Sequence, residues 1–215
     1  ESQESISVHV PLRHWNQPEY ETGTTPTRSV REVADSFPTV FVWKESVKSD
    51  ILTPVIRPAL VDDFEAIESL NYSVVNLTSP MDAARIQQLH DISSYHRVIT
   101  QDGQLTAFLL VLGPDCDYDS VNYQWFDQHY DDFAYIDRIV VRDGSRGQGL
   151  GTILYEDLFA WAISQKIRNI VCEYNAEPLN EASREFHNAL GFQEVSLETI
   201  GQVKRVSMQL RVLPV

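Results

Sequence analysis

The stretch "VVRDGSRGQGLG", Val140 to Gly151, limits the fold more than any other part of the chain. Four glycines fall within eight residues, Gly144 to Gly151, with Arg146 among them. The β-branched run "YIDRIVV" leads in, and "LGTILYEDLFAWAISQK" leads out with apolar residues at helical spacing. Leu154, Leu158 and Trp161 share one face of that helix, with Phe159 and Ala162 beside it. The segment reads as strand, glycine turn and long helix. Such a turn leaves backbone N–H groups uncovered at a helix N-terminus, where the helix dipole favours an anion. Gly147, Gly149 and Gly151 let phosphate oxygens approach the backbone, and Arg146 adds a charge-assisted contact. The reading is a cradle for phosphate or pyrophosphate. The alternative is a tight turn with no ligand, against which stands the entropy that each glycine costs.

Two nucleotide-binding loops are excluded by spacing. A dinucleotide turn has the form GxGxxG, whereas here the glycines run Gly147-x-Gly149-x-Gly151. A phosphate-binding loop ending in GK[ST] needs a lysine that Leu150-Gly151-Thr152 lacks.

Around this unit the pattern is regular from about Thr53. "TPVIRPAL" reads as a strand closed by Pro58. "VDDFEAIESLNY" places Phe64, Ile67 and Leu70 on one helical face, with Asp62 and Asp63 suited to its N-terminus. "SPMDAARIQQLHDI" predicts a helix with Ser79 as N-cap and Pro80 at its first position. "SYHRVIT" and "LTAFLLVL" form a hairpin around Asp102-Gly103. "GPDCDYDSVNYQWFDQHYDDF" is too long for a plain loop and is therefore partly helical or functional. After the long helix come a strand, "IRNIVCEYN", and a helix, "PLNEASREFHNALGF", ended by Gly191. "EVSLETI" and "VKRVSMQLRV" close the chain as a hairpin. Strands alternate with helices in the middle and hairpins sit at the ends, which predicts an α/β domain with a mixed sheet. Residues 1–50 hold a short strand in "ISVHVPL", a capped helix at Ser29 and Glu32, and a strand at "TVFVW". That is too little apolar material for a domain, so they are expected to form an arm, and residues 51–215 the domain.

Charge narrows the partners. The 17 basic and 31 acidic residues give −14, which argues against nucleic acid and anionic membranes as ligands and fits a cationic partner or plain solubility. Cys116 and Cys172 lie far apart with no CxxC, and the six histidines, His9 and His14 included, show no metal-ligand spacing. No apolar run approaches the ~20 residues that span a bilayer, and "ESQES" lacks the apolar segment of a secretory signal. A cytoplasmic protein with no bound metal is expected.

Two motifs together resemble a known family. "IVVRDGSRGQGLGTILYEDLFAWA" is similar to the acetyl-CoA-binding segment of the GCN5-related N-acetyltransferases (GNAT), whose R/Q-x-x-G-x-G/A signature is matched by Arg146 to Gly151. "NAEPLNEASREFHNALGF" resembles their later helix, through Asn180, Ser183, Phe186, Gly191 and Phe192. The resemblance covers about Pro54 to Val212. It implies a mostly antiparallel central sheet flanked by helices, and transfer of an acetyl group from acetyl-CoA to a primary amine of a small molecule or protein. It also implies a ternary complex, often within a homodimer.

By that resemblance, the strand before the glycine turn splays from its neighbour, and Ile139, Val140 and Val141 offer backbone groups to the pantetheine arm. The pyrophosphate lies on the amides of Arg146, Gly147, Gln148, Gly149, Leu150 and Gly151, with Thr152 in the first helical turn. Asn180 and Ser183 contact the CoA arm. The family's tyrosine acid, four residues before Gly-Phe, is replaced by His187, which has a reference pKa of ~6.5 and can also donate a proton. For the base, strand alternation puts Tyr135, Asp137 and Ile139 on one face and Ile136, Arg138 and Val140 on the other. Members of the family often place a carboxylate or histidine at the positions of Tyr135 and Asp137, so Asp137 is the first choice, acting directly or through water, and Glu173 on the neighbouring strand is the reserve. A salt bridge to a nearby arginine is the competing role for Asp137. Tyr118, Tyr123, Trp125, Phe126 and Tyr130 of the Asp-rich segment either wall a cation site or fold into their own cluster. Two other functions use the same fold: acyl-CoA binding without catalysis, and use of a different acyl donor.

Overall fold

In the computed structural model the described residues are 53–75, 78–201 and 204–215. The arm expected over residues 1–50 lies outside them. Seven strands form one sheet, β1 (Val55–Pro58), β2 (Ser93–Gln101), β3 (Gln104–Leu112), β4 (Ala134–Val141), β5 (Asn169–Glu177), β6 (Gln193–Ile200) and β7 (Lys204–Val212), in the order β1-β2-β3-β4-β5-β7-β6. Every neighbouring pair is antiparallel except β4 and β5. Five helices flank it: α1 (Phe64–Ser73), α2 (Ala83–Ile92), α3 (Val121–His129), α4 (Leu150–Gln165) and α5 (Glu181–Ala189). This is the mixed, mostly antiparallel α/β fold that the sequence implies.

Two apolar layers hold it together. Phe64, Ile67, Leu70, Ile86 and Leu89 of α1 and α2 pack with Tyr123 and Phe126 of α3 on one face. Leu154, Tyr155, Leu158 and Phe159 of α4 cover the other, joined by Phe186 before Gly191 and Phe192 after α5. β3 sits between the layers and is buried on both faces, which is why "LTAFLLVL" is apolar at every position but Thr106 rather than alternating. Asp102 and Gly103 turn the first hairpin with positive φ angles of 50° and 73°. Gly191 ends α5 at φ 78°.

α2 begins three residues later than Ser79 predicts. Asp82 is its N-cap, accepting a bond from the Arg85 N–H at 2.8 Å. Ser79 is occupied elsewhere, because its carbonyl and hydroxyl both accept from Arg138. The Asp-rich segment is helical at α3, and most of its aromatics fold inward: Tyr118, Tyr123 and Phe126 are buried in the core, and Trp125 stacks on His129. Asp131 and Asp132 are exposed, and the Asp132 carbonyl accepts from Asn169 at the start of β5.

Strict alternation fails in β4. Arg138 lies opposite Leu110 and Ile136 opposite Val111, so Asp137 has no partner of its own on β3. This β-bulge turns the strand. Val140 joins Tyr135 in the layer of α1 and α3, whereas Ile136 and Ile139 pack toward α4. Arg138 follows Tyr135, not Ile136, and reaches Asn71 at the end of α1. The grouping of Tyr135 with Ile139, and of Ile136 with Arg138 and Val140, is therefore corrected: the extra residue shifts the phase of every side chain after it.

Candidate active site

β4 and β5 pair only at Ala134 with Ile170 and Tyr135 with Val171. Beyond that point they diverge, and a cleft of about 850 Å³ opens between them. The second halves of β4 and β5 form its walls, the glycine turn and the start of α4 one end, and α5 a further side. Parallel strands that part leave one edge of each without a ladder partner, so Ile139, Val140 and Val141 line open space on the β5 side while still paired to β3.

The glycine turn owes its shape to backbone freedom. Gly147 and Gly149 have φ angles of 76° and 77°, a region costly for side-chain-bearing residues. A Cβ at either position would meet nothing within 4 Å, so the space above them is open. Gly149 is the N-cap of the 16-residue α4, and no side chain caps this helix. Its first N–H groups are left for an anion. Gly151 is needed for a different reason: a Cβ there would lie 3.2 Å from the Phe186 ring. Arg146 is half-exposed and pairs with Asp143 at 2.9 Å, while Gln148 accepts from Gln101 at 3.2 Å. Leu150 is buried, and Thr152 lines the cleft in the first turn. Asn180 caps α5 through Oδ1, which accepts from the Ser183 N–H at 3.2 Å. Both residues line the cleft.

The two carboxylates of the cleft have different surroundings. Asp137 has both oxygens engaged: its Oδ2 accepts from Arg138 Nε at 2.6 Å and its Oδ1 from the Tyr118 hydroxyl. The Arg138 and Asp137 side chains are 4 % and 3 % exposed. The rest of the guanidinium binds Asn71 and Ser79, which ties α1 and the segment after it to the bulge. Glu173, on β5, has one engaged oxygen. Oε1 accepts from Asn122 Nδ2 at 2.8 Å and from the Tyr135 hydroxyl at 3.2 Å. Oε2 is shut off from solvent and has no partner among the described residues. Crowding by protein raises the Glu173 pKa to about 7, helped by the charge of Asp137 and opposed by the Asn122 bond. Tyr135 is fully buried and its pKa raised by that burial.

On the opposite face, His187 is buried between α4 and α5. Its Nδ1 lies 2.7 Å from the Ser183 carbonyl, which requires a proton on Nδ1. Its Nε2 then accepts from the Tyr155 hydroxyl at 2.8 Å. Burial lowers its pKa, so the ring is neutral near pH 7.

The structure thus gathers Tyr135, Asp137, Glu173 and His187 around one cleft, together with the glycine turn, Asn180 and Ser183. Of the Asp-rich segment it adds Tyr118, Ser120 and Asn122; Asp131 and Asp132 are not among the lining residues. Sequence reasoning missed Asn122 and Tyr155. The Ser120 N-cap of α3, which accepts from Tyr123 N–H, was the available signal for the first. Tyr155 had none, since it reads as one more apolar position of α4.

Residues 61–192 match the model of the acetyltransferase (GNAT) family. Among curated proteins none matches the sequence. Many solved structures share the fold. The ribosomal-protein-S18-alanine N-acetyltransferase of Escherichia coli is 17% identical with a TM-score of 0.56, over 74% of this chain and 94% of that one. Ard1 of Thermoplasma volcanium is 19% identical with a TM-score of 0.59, over 75% and 98%. YncA of Salmonella typhimurium, solved with its cofactor acetyl-CoA, is 19% identical with a TM-score of 0.58, over 75% and 95%. At these identities the likeness is one of fold.

Proposed function

The chain belongs to the GNAT acetyltransferase family, and from that premise we propose that it transfers the acetyl group of acetyl-CoA to a primary amine within a ternary complex. The observation that carries this reading is the cleft itself. It has an uncapped helix N-terminus beneath open glycines at one end and, among its lining residues, a carboxylate with one buried oxygen that has no partner among the described residues. The first suits a pyrophosphate and the second suits an ammonium ion.

In this reading the amides from Arg146 to Gly151 hold the pyrophosphate, with Thr152 beside them. The unpaired edge of Ile139 to Val141 runs along the pantetheine arm, and Asn180 and Ser183 flank it. YncA, with acetyl-CoA bound to the same fold, supports this choice of donor. Glu173 is the base. Its pKa of about 7 lets it take a proton from an ammonium group and remain ionised in a useful fraction near neutrality. Asp137 serves the fold instead, because both its oxygens are committed to Arg138 and Tyr118. The amine lone pair freed by Glu173 attacks the thioester carbonyl, the C–S bond breaks, and the second proton that the nitrogen sheds as it becomes an amide passes to the CoA thiolate. His187 is not the donor of that proton, since its single N–H faces the Ser183 carbonyl. It acts by positioning the Tyr155 hydroxyl at the cleft wall. Two free thiols, Cys116 and Cys172, fit a reducing compartment and so a cytoplasmic location. No helix of the described residues is long and apolar enough to cross a membrane.

The replacement of the family's tyrosine by an occupied histidine favours a second reading, an acyl-CoA-binding protein without turnover. Calorimetric titration with acetyl-CoA, followed by thiol release against a panel of primary amines, separates the two. Binding with thiol release supports the transferase. Binding with none across the panel supports the second reading, and absence of binding removes both.

A further inference from the structure

We propose that Asn122, at the start of α3, seats the acceptor amine together with Glu173, through one free oxygen on each side chain. This rests on the acetyltransferase reading and names the group that selects its acceptor. Among the described residues, four buried side-chain atoms lack a hydrogen-bond partner, and two of them are Asn122 Oδ1 and Glu173 Oε2. The two side chains are bonded to each other, Nδ2 to Oε1 at 2.8 Å, so their unused oxygens belong to one polar cluster. Both residues line the cleft. Leaving a buried acceptor unsatisfied costs about 1–3 kcal/mol, so two in one place mark a site built for a donor.

The bond between the side chains fixes which way the amide points. Glu173 Oε1 can only accept when ionised, so Asn122 must present Nδ2 to it and keep Oδ1 free. A single partner for both oxygens carries at least two donor hydrogens, and a positive charge on it would match the carboxylate. A primary ammonium has three. One N–H goes to Asn122 Oδ1 and a second to Glu173 Oε2, and that second proton passes to Glu173 when the amine is activated. The amine nitrogen stays bonded to Asn122 while its lone pair forms. A quaternary ammonium of equal charge has no N–H and cannot satisfy either oxygen. Both oxygens are shut off from solvent, so seating an ammonium turns the two side chains toward the cleft, and a slender –CH2–NH3+ or peptide N-terminus suits such a seat better than a branched amine.

The test uses the full chain with Asn122→Leu and Asn122→Asp. In thiol-release assays Asn122→Leu should raise the amine KM at least tenfold, with the acetyl-CoA Kd unchanged. It should also move the apparent pKa of kcat/KM upward, because the Asn122 bond lowers that of Glu173. The other groups acting on Glu173, Asp137, Tyr135 and Lys204, are untouched by the change. Asn122→Asp keeps an acceptor oxygen but sets a second carboxyl against Glu173, where the two share one proton, so its pKa should rise further than that of Asn122→Leu while its KM rises less. A second arm needs no turnover: carboxyl 13C NMR of glutamate-labelled protein titrated with n-butylammonium or butyltrimethylammonium. The primary ion should lower the Glu173 titration midpoint, the quaternary ion should not, and Asn122→Leu should abolish the difference. An unchanged KM and pH profile in Asn122→Leu, equal KM losses in both variants, or equal effects of the two ions would overturn the proposal. If no amine is turned over, the acetyltransferase reading falls, and the NMR arm still decides the seat.

Discussion

Glu173 and Asp137 carry the same functional group in the same cleft, and their neighbours separate them. Asp137 has an arginine and a tyrosine to satisfy both oxygens, while Glu173 has two neutral donors on one oxygen and none on the other. A base needs a free oxygen and a pKa near the working pH, and Glu173 has both. Glu173→Gln should lower kcat/KM for the amine by about 10²–10⁴-fold, the usual worth of general base catalysis, with acetyl-CoA affinity unchanged by calorimetry. In the unmodified protein, kcat/KM should rise with pH and level off above about 7, as Glu173 loses its proton. The sequence offered both carboxylates as candidate bases and ranked Asp137 first. Local spacing carries no information about Tyr118 or Arg138, which reach Asp137 through the fold.

The elements that shape the cleft are a bulge and a turn. The bulge at Asp137 lets consecutive residues, Asp137 and Arg138, bond to each other in the interior, and Arg138 then anchors the end of α1 and the segment after it. Arg138→Met removes the cation from a buried ion pair, so it should cost about 3–5 kcal/mol in denaturant unfolding. Asp137→Asn in the same chain should restore part of that loss, which is the signature of a coupled pair. The glycine turn depends on left-handed backbone and open space. Gly149→Glu places a side chain at φ 77°, at about 1–2 kcal/mol of strain, and puts a negative charge where the pyrophosphate is expected. Calorimetry should show acetyl-CoA binding lost in a protein that still unfolds cooperatively. Gly151 has a separate purpose, since Phe186 packs against it.

At the scale of the molecule, the sheet divides the candidate residues between two layers. Glu173, Tyr135 and Asn122 lie with α3 on one side, and His187 and Tyr155 lie between α4 and α5 on the other. Opening the sheet there leaves ionisable groups without full solvation, and stability must follow. Glu173 has a folded pKa of about 7 against an ordinary 4.5. Between those values the folded protein keeps a proton that the unfolded chain has released, so the Glu173 contribution weakens as pH rises. Glu173→Gln should therefore gain stability relative to the unmodified protein between pH 5 and pH 8, measured by urea unfolding at each pH. His96, pushed down to about 4, works in the opposite sense and removes stability as pH falls from 6.5 toward 4. The sequence by itself determined the order of elements, the hairpins, the glycine turn and the family, because these follow from periodicity, turn residues and short-range motifs. Only the tertiary structure decided the phase of β4, the late start of α2, the hydrogen-bond partners of Asp137 and Glu173, and the place of Asn122 beside Glu173. Each of those rests on contacts between residues far apart in the chain, such as Arg138 with Ser79 and Asn122 with Glu173, and such contacts exist only once the sheet has formed.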